Sequence, residues 1–89
     1  MRRTGEAMTR RLILVRVFWD SEAKVWVAAS EDMAGLVTEA ATLEKLRDKL
    51  LAMIPELLEL NNVVSDLPEI PVHIVAEMSA RVRNPHVAA

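Results

Sequence analysis

The stretch from Asp32 to Leu46 constrains the fold more than any other part of this chain. It holds a polar loop with Gly35, then a short run typical of a strand, then Thr42 directly before a helical pattern. Gly35 can take a positive φ without the steric cost that other residues meet. Thr42 is a preferred N-cap, and Glu44 in the first turn suits the helix dipole. The stretch therefore predicts a loop, a strand and a helix in that order.

The predicted helix is amphipathic. Its apolar residues recur at steps of three and four, which places them on one face: Leu43, Leu46, Leu50, Met53, Leu57 and Leu60, with Leu51, Ile54 and Leu58 widening the stripe. Pro55 lacks an N–H and crowds the preceding turn; because the apolar spacing keeps its phase, a kink is favoured over a break. Asn61 and Asn62 are expected to end the helix. The stripe falls short of the roughly three to four heptads of a coiled coil, so we expect the helix to pack on a sheet.

Four segments carry the apolar and β-branched residues of strands. They are Leu12 to Trp19, Lys24 to Ser30, Leu36 to Glu39 and Val72 to Val82. The first three have short links and predict an antiparallel meander, whereas the last follows the helix and can lie parallel to the first. The predicted fold class is α+β, β-β-β-α-β, with one helix on one sheet face. We expect a flexible arm at 1–9, a single domain at 10–82 and a short tail at 83–89.

Side chains alternate across a strand, and this divides the sheet residues into two faces. The helix side is predicted to hold Ile13, Val15, Val17 and Trp19, joined by Val25, Val27 and Ala29 of the second strand. The other side is predicted to be an interface made of Leu14, Arg16, Phe18 and Trp26. A soluble monomer rarely exposes so large an apolar patch, so we expect a homodimer or higher homo-oligomer, formed through this face or through an exposed sheet edge.

Length and composition bound the class of protein. The chain has 89 residues, of which 52% are apolar, and it has no cysteine. This predicts one cytoplasmic domain without disulfides. No apolar run approaches the roughly 18 residues that a membrane span needs, so no membrane association is expected. The net charge of −2 gives the whole chain no general affinity for nucleic acid.

The sequence offers no catalytic or metal-binding pattern, and we expect neither enzyme activity nor a cofactor. Two-metal hydrolysis needs converging carboxylates, but the first strand has none; Asp20 lies in the turn beyond it, and Glu77 in the last strand has no evident partner. His73 and His86 are the only histidines, without the spacing of a zinc site. His73 is therefore expected to be a partly exposed strand residue.

The order of the short motifs resembles the HicB-like antitoxin family. The motifs are Trp26-Val27-Ala28 on the hairpin return, Asp32-Met33-Ala34-Gly35 at the turn, Thr38 in the short strand, Thr42-Leu43-Glu44 at the helix start and the segment from Pro55 to Leu60. Within that family, this chain is similar to a compact branch whose function is uncharacterised. The resemblance implies a reduced ribonuclease H-like fold and an antitoxin-like role. Only residues 83–89 follow the last predicted strand, so the family's usual DNA-binding tail is not expected.

Three functions stay open on these observations. The first is a non-enzymatic module that, as the resemblance implies, neutralises a small HicA-type ribonuclease by covering its active site with the outer sheet face or a sheet edge. The second is a stand-alone homo-oligomeric module with another partner. The third is a weak nucleic-acid binder, in which a dimer would bring together Arg10 and Arg11 at one end of the sheet and Arg81 and Arg83 at the other.

Overall fold

The computed structural model describes residues 12–87 as a four-stranded mixed sheet with a helix on one face. The predicted arm at 1–9 lies outside these residues. The elements are β1 (Ile13–Asp20), β2 (Val25–Ala29), β3 (Val37–Ala40), α1 (Leu43–Leu60) and β4 (Val72–Glu77). The sheet order is β3-β2-β1-β4, with β1 antiparallel to β2, β2 antiparallel to β3, and β4 parallel to β1. The predicted α+β fold class is confirmed.

The turn between β1 and β2 is held by Asp20. Its Oδ1 accepts hydrogen bonds from the backbone N–H groups of Glu22 and Ala23, at 3.0 and 3.1 Å. The Lys24 N–H donates to the Asp20 carbonyl at 2.8 Å, and Lys24 takes a left-handed φ of 61°. This four-residue link sets Asp20 opposite Val25, and thereby fixes which β2 residues share a face with which β1 residues.

The predicted placement of Trp26 on the outer face is wrong. Trp26 lies opposite Trp19, on the helix side of the sheet, and packs against the buried core. The two indole rings meet edge to face, with centroids 5.2 Å apart and planes at 60°. Val27 lies opposite Phe18 and so faces outward, and the same alternation turns Val25 and Ala29 outward with it. The prediction followed the apolar residues of β2 alone, whereas the turn length decides the register.

The core lies between the helix and β1, as predicted. Its fully buried members include Ile13, Val15 and Val17 from β1, with Leu46, Leu50 and Ile54 from α1. Met33 and Leu36, from the loop before β3, are also fully buried although no periodic pattern marks them. The predicted helix stripe was too wide, because Leu43, Leu51 and Leu60 are exposed. Within α1 the buried residues are Leu46, Leu50 and Ile54, which recur every four residues.

The helix begins and ends where the capping residues predict. Thr42 Oγ1 accepts a hydrogen bond from the Lys45 N–H at 3.1 Å. The helix runs unbroken through Pro55 to Leu60. At its end the Asn61 side-chain amide donates to the Leu57 carbonyl at 2.8 Å and to the Ala34 carbonyl at 3.2 Å. Asn61 therefore both caps α1 and ties it to the loop before β3.

That loop contains the turn at Gly35, which has a positive φ of 86°. The Leu36 N–H donates to the Met33 carbonyl at 3.2 Å, which closes the turn and points both apolar side chains into the core. Thr38 follows in β3, half-buried and opposite Ala28.

The last strand is shorter than the predicted Val72 to Val82. It ends at Glu77, which lies opposite Phe18 of β1. β1 continues past Phe18 only to Asp20, so a strand that ran on to Val82 would have no neighbour beyond Ser79 on that side. Residues 78–87 are all exposed. No helix within residues 12–87 is long and apolar enough to cross a bilayer.

Candidate protein interface

The sheet face opposite α1, here called the outer face, carries a continuous set of side chains from all four strands. They follow from the strand registers: Leu14, Arg16 and Phe18 of β1; Val25, Val27 and Ala29 of β2; Val37 and Glu39 of β3; and His73, Val75 and Glu77 of β4. Phe18 is 49% exposed and Val37 is 67% exposed. Within residues 12–87 no element packs over this face.

Three of the four predicted interface residues lie together on the outer face. Phe18 lies between Val27 and Glu77, and Leu14 lies beside His73. Arg16 lies between its neighbours on β2 and β4 and is exposed. β1 is an inner strand, and in the described part of the chain the ion pair formed is Arg47–Asp48, not one with Arg16. Trp26, the fourth, is on the other face.

Carboxylates flank the apolar centre. Glu39 is on the edge strand β3 and Glu77 on the edge strand β4, so the two lie on opposite sides of the face. Glu31 lies just after the end of β2 and lines a hollow with Arg16, Phe18 and Glu77. An apolar centre with an acidic border suits a partner surface that is apolar in the middle and basic around it.

The outer face is anchored at Leu14 by two side chains that the sequence reasoning missed. The Leu14 N–H donates to Asp32 Oδ2 at 2.9 Å, and Ser30 Oγ donates to the Leu14 carbonyl at 2.6 Å. The Asp32 N–H in turn donates to Ser30 Oγ at 3.1 Å. These bonds continue the β1–β2 contact where the backbone ladder stops. The sequence feature that could have revealed these two side chains is Ser30-x-Asp32 directly after the second strand, because serine and aspartate readily form hydrogen bonds with backbone groups.

The two carboxylates considered for catalysis, Asp20 and Glu77, share the outer face. Glu77 is opposite Phe18, and Asp20 follows Phe18 by two residues, so the two carboxylates are diagonal neighbours across β1 and β4. Asp20 Oδ1, however, is bonded to two backbone N–H groups of the turn. Within residues 12–87 no group of three or more His, Asp or Glu residues is placed to hold a metal ion. His73 is exposed on the outer face, and His86 lies in the exposed tail.

The family model described as a domain of unknown function, DUF1902, matches residues 12–85. The chain belongs to the DUF1902 family. Its matched region includes every strand, the helix and most of the exposed segment after β4, so the outer face is part of the DUF1902 domain.

A solved structure is similar to this DUF1902 domain. It is the crystal structure of a hypothetical protein, TTHA1013, from the extremely thermophilic bacterium Thermus thermophilus. The two chains are 50% identical, and the match covers 83% of this chain and 100% of that chain, with a TM-score of 0.62. No curated protein matches. Neither the family description nor this relative tests the resemblance to HicB-like antitoxins, which therefore stays a prediction.

Proposed function

We propose that this DUF1902 domain is a non-enzymatic interaction module that binds a small basic protein through its outer face, in the manner of an antitoxin. The observation that carries the proposal is the exposed apolar set of Phe18, Val37 and Val75, which no described element covers. Burying such a patch against a partner is favourable by about 25 cal/mol per Å² of apolar surface. A patch of this kind on a soluble domain marks an interaction site.

The charges support a basic partner. Glu31, Glu39 and Glu77 flank the apolar centre, and the whole chain carries a net charge of −2. Complementary charges raise the rate at which partners meet and reject wrong ones. Arg16, inside the patch, would need a carboxylate beside it on burial, because a buried charge without a partner is costly. Glu31 and Glu77 line the same hollow and can supply it, so the proposed partner is basic around an apolar centre.

The resemblance to HicB-like antitoxins names the class of partner, a small HicA-type ribonuclease. The mechanism would be steric. A flat sheet face laid over a small enzyme excludes RNA from the active site without any chemistry by this chain. No residue of the outer face needs to be a general acid, a base or a metal ligand for this function.

The test is inhibition of a HicA-type ribonuclease encoded beside the gene for this chain. The ribonuclease is mixed with increasing amounts of this chain, and RNA cleavage is measured. We expect cleavage to fall in proportion to the added chain and to stop near equimolar amounts. Phe18→Glu should abolish the inhibition, because it places a charge in the apolar centre. Leu60→Glu, at the exposed end of α1, is the matched control and should inhibit as the wild type does.

Two results would contradict the proposal. One is full cleavage in the presence of excess wild-type chain. The other is equal inhibition by the wild type and by Phe18→Glu, which would move the contact away from the outer face.

A second candidate function is a stand-alone homo-oligomeric module. The observation that favours it is the exposed segment after β4, where Met78 and Val82 project without a described neighbour. Self-association of the pure chain without any inhibition of the ribonuclease would favour this candidate over the first.

A further inference from the structure

The open edge of the sheet at β4 presents the backbone groups of alternate residues. The Ile13 N–H donates to the Pro71 carbonyl at 3.0 Å, and Ile13 is paired with Val72. In a parallel ladder, the N–H and C=O groups of a residue bond the two residues that flank its paired residue on the next strand. The odd-numbered residues of β4 therefore form the hydrogen bonds to β1. The N–H and C=O groups of Val72, Ile74 and Ala76 therefore point to the open edge, where they can bond another strand.

The segment after β4, here called the arm (residues 78–84), continues the apolar alternation of that strand. Met78 is 58% exposed and Val82 is 90% exposed, and Ala80 between them is exposed as well. In the described part of the chain the pairing of β4 with β1 ends at Glu77, and beyond Ser79 the arm has no strand beside it, since β1 ends at Asp20. Paired as a strand, it would place these three side chains on the helix side, in line with Val72, Ile74 and Ala76.

Two apolar hollows, together called the groove here, lie along the helix side of the same edge. A hollow of about 280 Å³ lies between the start of α1 and β4, lined in part by Leu43, Ile74 and Ala76. A second hollow, of about 250 Å³, lies further along, between α1 and the linker to β4, and includes Leu51 and Val72. The helix lies closest to β3 and β2, and Val72 and Ile74 are only half-buried against the core, so this side of β4 is partly open.

We propose that two copies of the chain pair antiparallel along their β4 edges, so that each arm extends the sheet of the other copy. Only even-numbered residues offer backbone groups at the edge, so even-numbered residues of the two copies must lie opposite one another. Met78, Ala80 and Val82 of one copy then lie on the helix side of the joined sheet; in the register assigned below, Val82 lies beside Ala76 at the apolar groove of the other copy, and Met78 lies beside its Ala80. The inference rests on the homo-oligomeric candidate function and is separate from ribonuclease binding at the outer face.

Charge and the length of the arm together select the register. With Ser79 on the two-fold axis, Ala76 of one copy lies opposite Val82 of the other, and Glu77 lies opposite Arg81. Opposite charges in directly facing positions are stabilising, and the symmetry of the dimer repeats the pair. A two-fold axis at Glu77 would instead set two carboxylates against each other. An axis at Ala80 would also pair opposite charges, Glu77 with Arg83, but it would place Ile74 opposite His86, in the turn beyond the arm. The register with Ser79 on the axis, which keeps the partner of Ile74 within the arm, is therefore the one that we assign.

The first test is sedimentation equilibrium of the full chain at micromolar concentration. The wild type should be a dimer. Ala80→Pro removes an N–H that bonds the second copy and lies in a segment without described contacts in the monomer. It should weaken the dimer by at least about tenfold, since the bond is lost twice. Phe18→Glu, on the outer face, should leave the dimer as tight as in the wild type.

The second test is disulfide formation, which reports the register. The chain has no cysteine of its own, so single cysteines are unambiguous. Residues on the odd-numbered positions face each other as non-hydrogen-bonded pairs, about 4.5 Å apart at Cα, within the range of a disulfide. Ser79→Cys should form a covalent dimer under mild oxidation. Ser21→Cys, exposed in the β1–β2 turn, is the control and should not.

A monomeric wild type would overturn both the inference and the homo-oligomeric candidate. A dimeric wild type with an equally tight Ala80→Pro dimer would overturn the inference alone, and loss of the dimer in Phe18→Glu would move the contact to the outer face. Failure of Ser79→Cys to crosslink faster than Ser21→Cys would overturn the assigned register.

Discussion

The carboxylate of Asp32 accepts a hydrogen bond from the backbone N–H of Leu14, 18 residues earlier in the chain, at 2.9 Å. Together with Ser30, which bonds the Leu14 carbonyl, it satisfies both backbone groups of Leu14 on the β2 side. The loop before β3 is thereby fixed to β1. Because Met33 follows directly, the same bond helps place a fully buried side chain in the core.

Asp32→Ala should therefore lower the free energy of unfolding by about 1–3 kcal/mol, the cost of leaving a half-buried N–H without its partner. Urea denaturation measures this loss. Glu31→Ala, at the exposed neighbour, should change stability by less than about 0.5 kcal/mol. Equal effects of the two substitutions would mean that the Asp32 bond contributes nothing to stability.

Leu50→Ala should destabilise the domain by about 2–5 kcal/mol, the usual range for a buried leucine. Leu50 is fully buried against the sheet, whereas Leu51 is 53% exposed on the adjoining helix face. Leu51→Ala is thus a matched control, with an expected loss below about 1 kcal/mol. The assigned helix face is wrong if denaturant melts give Leu51→Ala the larger loss.

Gly35→Ala should destabilise the domain by about 1–2 kcal/mol, because an L-residue is strained at a φ of 86°. Space is not the limit: an added Cβ would meet the flexible end of Leu57 at 3.4 Å. Gly35→Asn should cost less than Gly35→Ala, since asparagine visits the left-handed region more readily. Thermal melts of both variants test this order.

The pure chain should cleave neither RNA nor DNA in the presence of Mg²⁺ or Mn²⁺. Asp20 and Glu77 are neighbouring carboxylates, but Asp20 bonds the backbone of its own turn. Cleavage is assayed on labelled substrates after each purification step. Activity that co-purifies with the chain and disappears in Asp20→Ala or Glu77→Ala would refute this prediction.

The local elements could be predicted from the sequence because their signals are local. The Thr42 cap, the positive φ at Gly35 and the asparagine stop after Leu60 each depend on a few neighbouring residues. The parallel placement of β4 followed from the length of the helix before it. The core face of β1 followed from its own alternation, since Ile13, Val15 and Val17 are uniformly apolar.

The sequence by itself determined the α+β class, the element order and three of the four residues expected on the outer face. Only the tertiary structure decided the face of Trp26, because a strand's alternation gives two equal choices and the turn at Asp20 selects one. It also decided the burial of Met33 and Leu36 and the early end of β4. These depend on contacts between residues distant in the chain, and such contacts leave no periodic signal in the sequence.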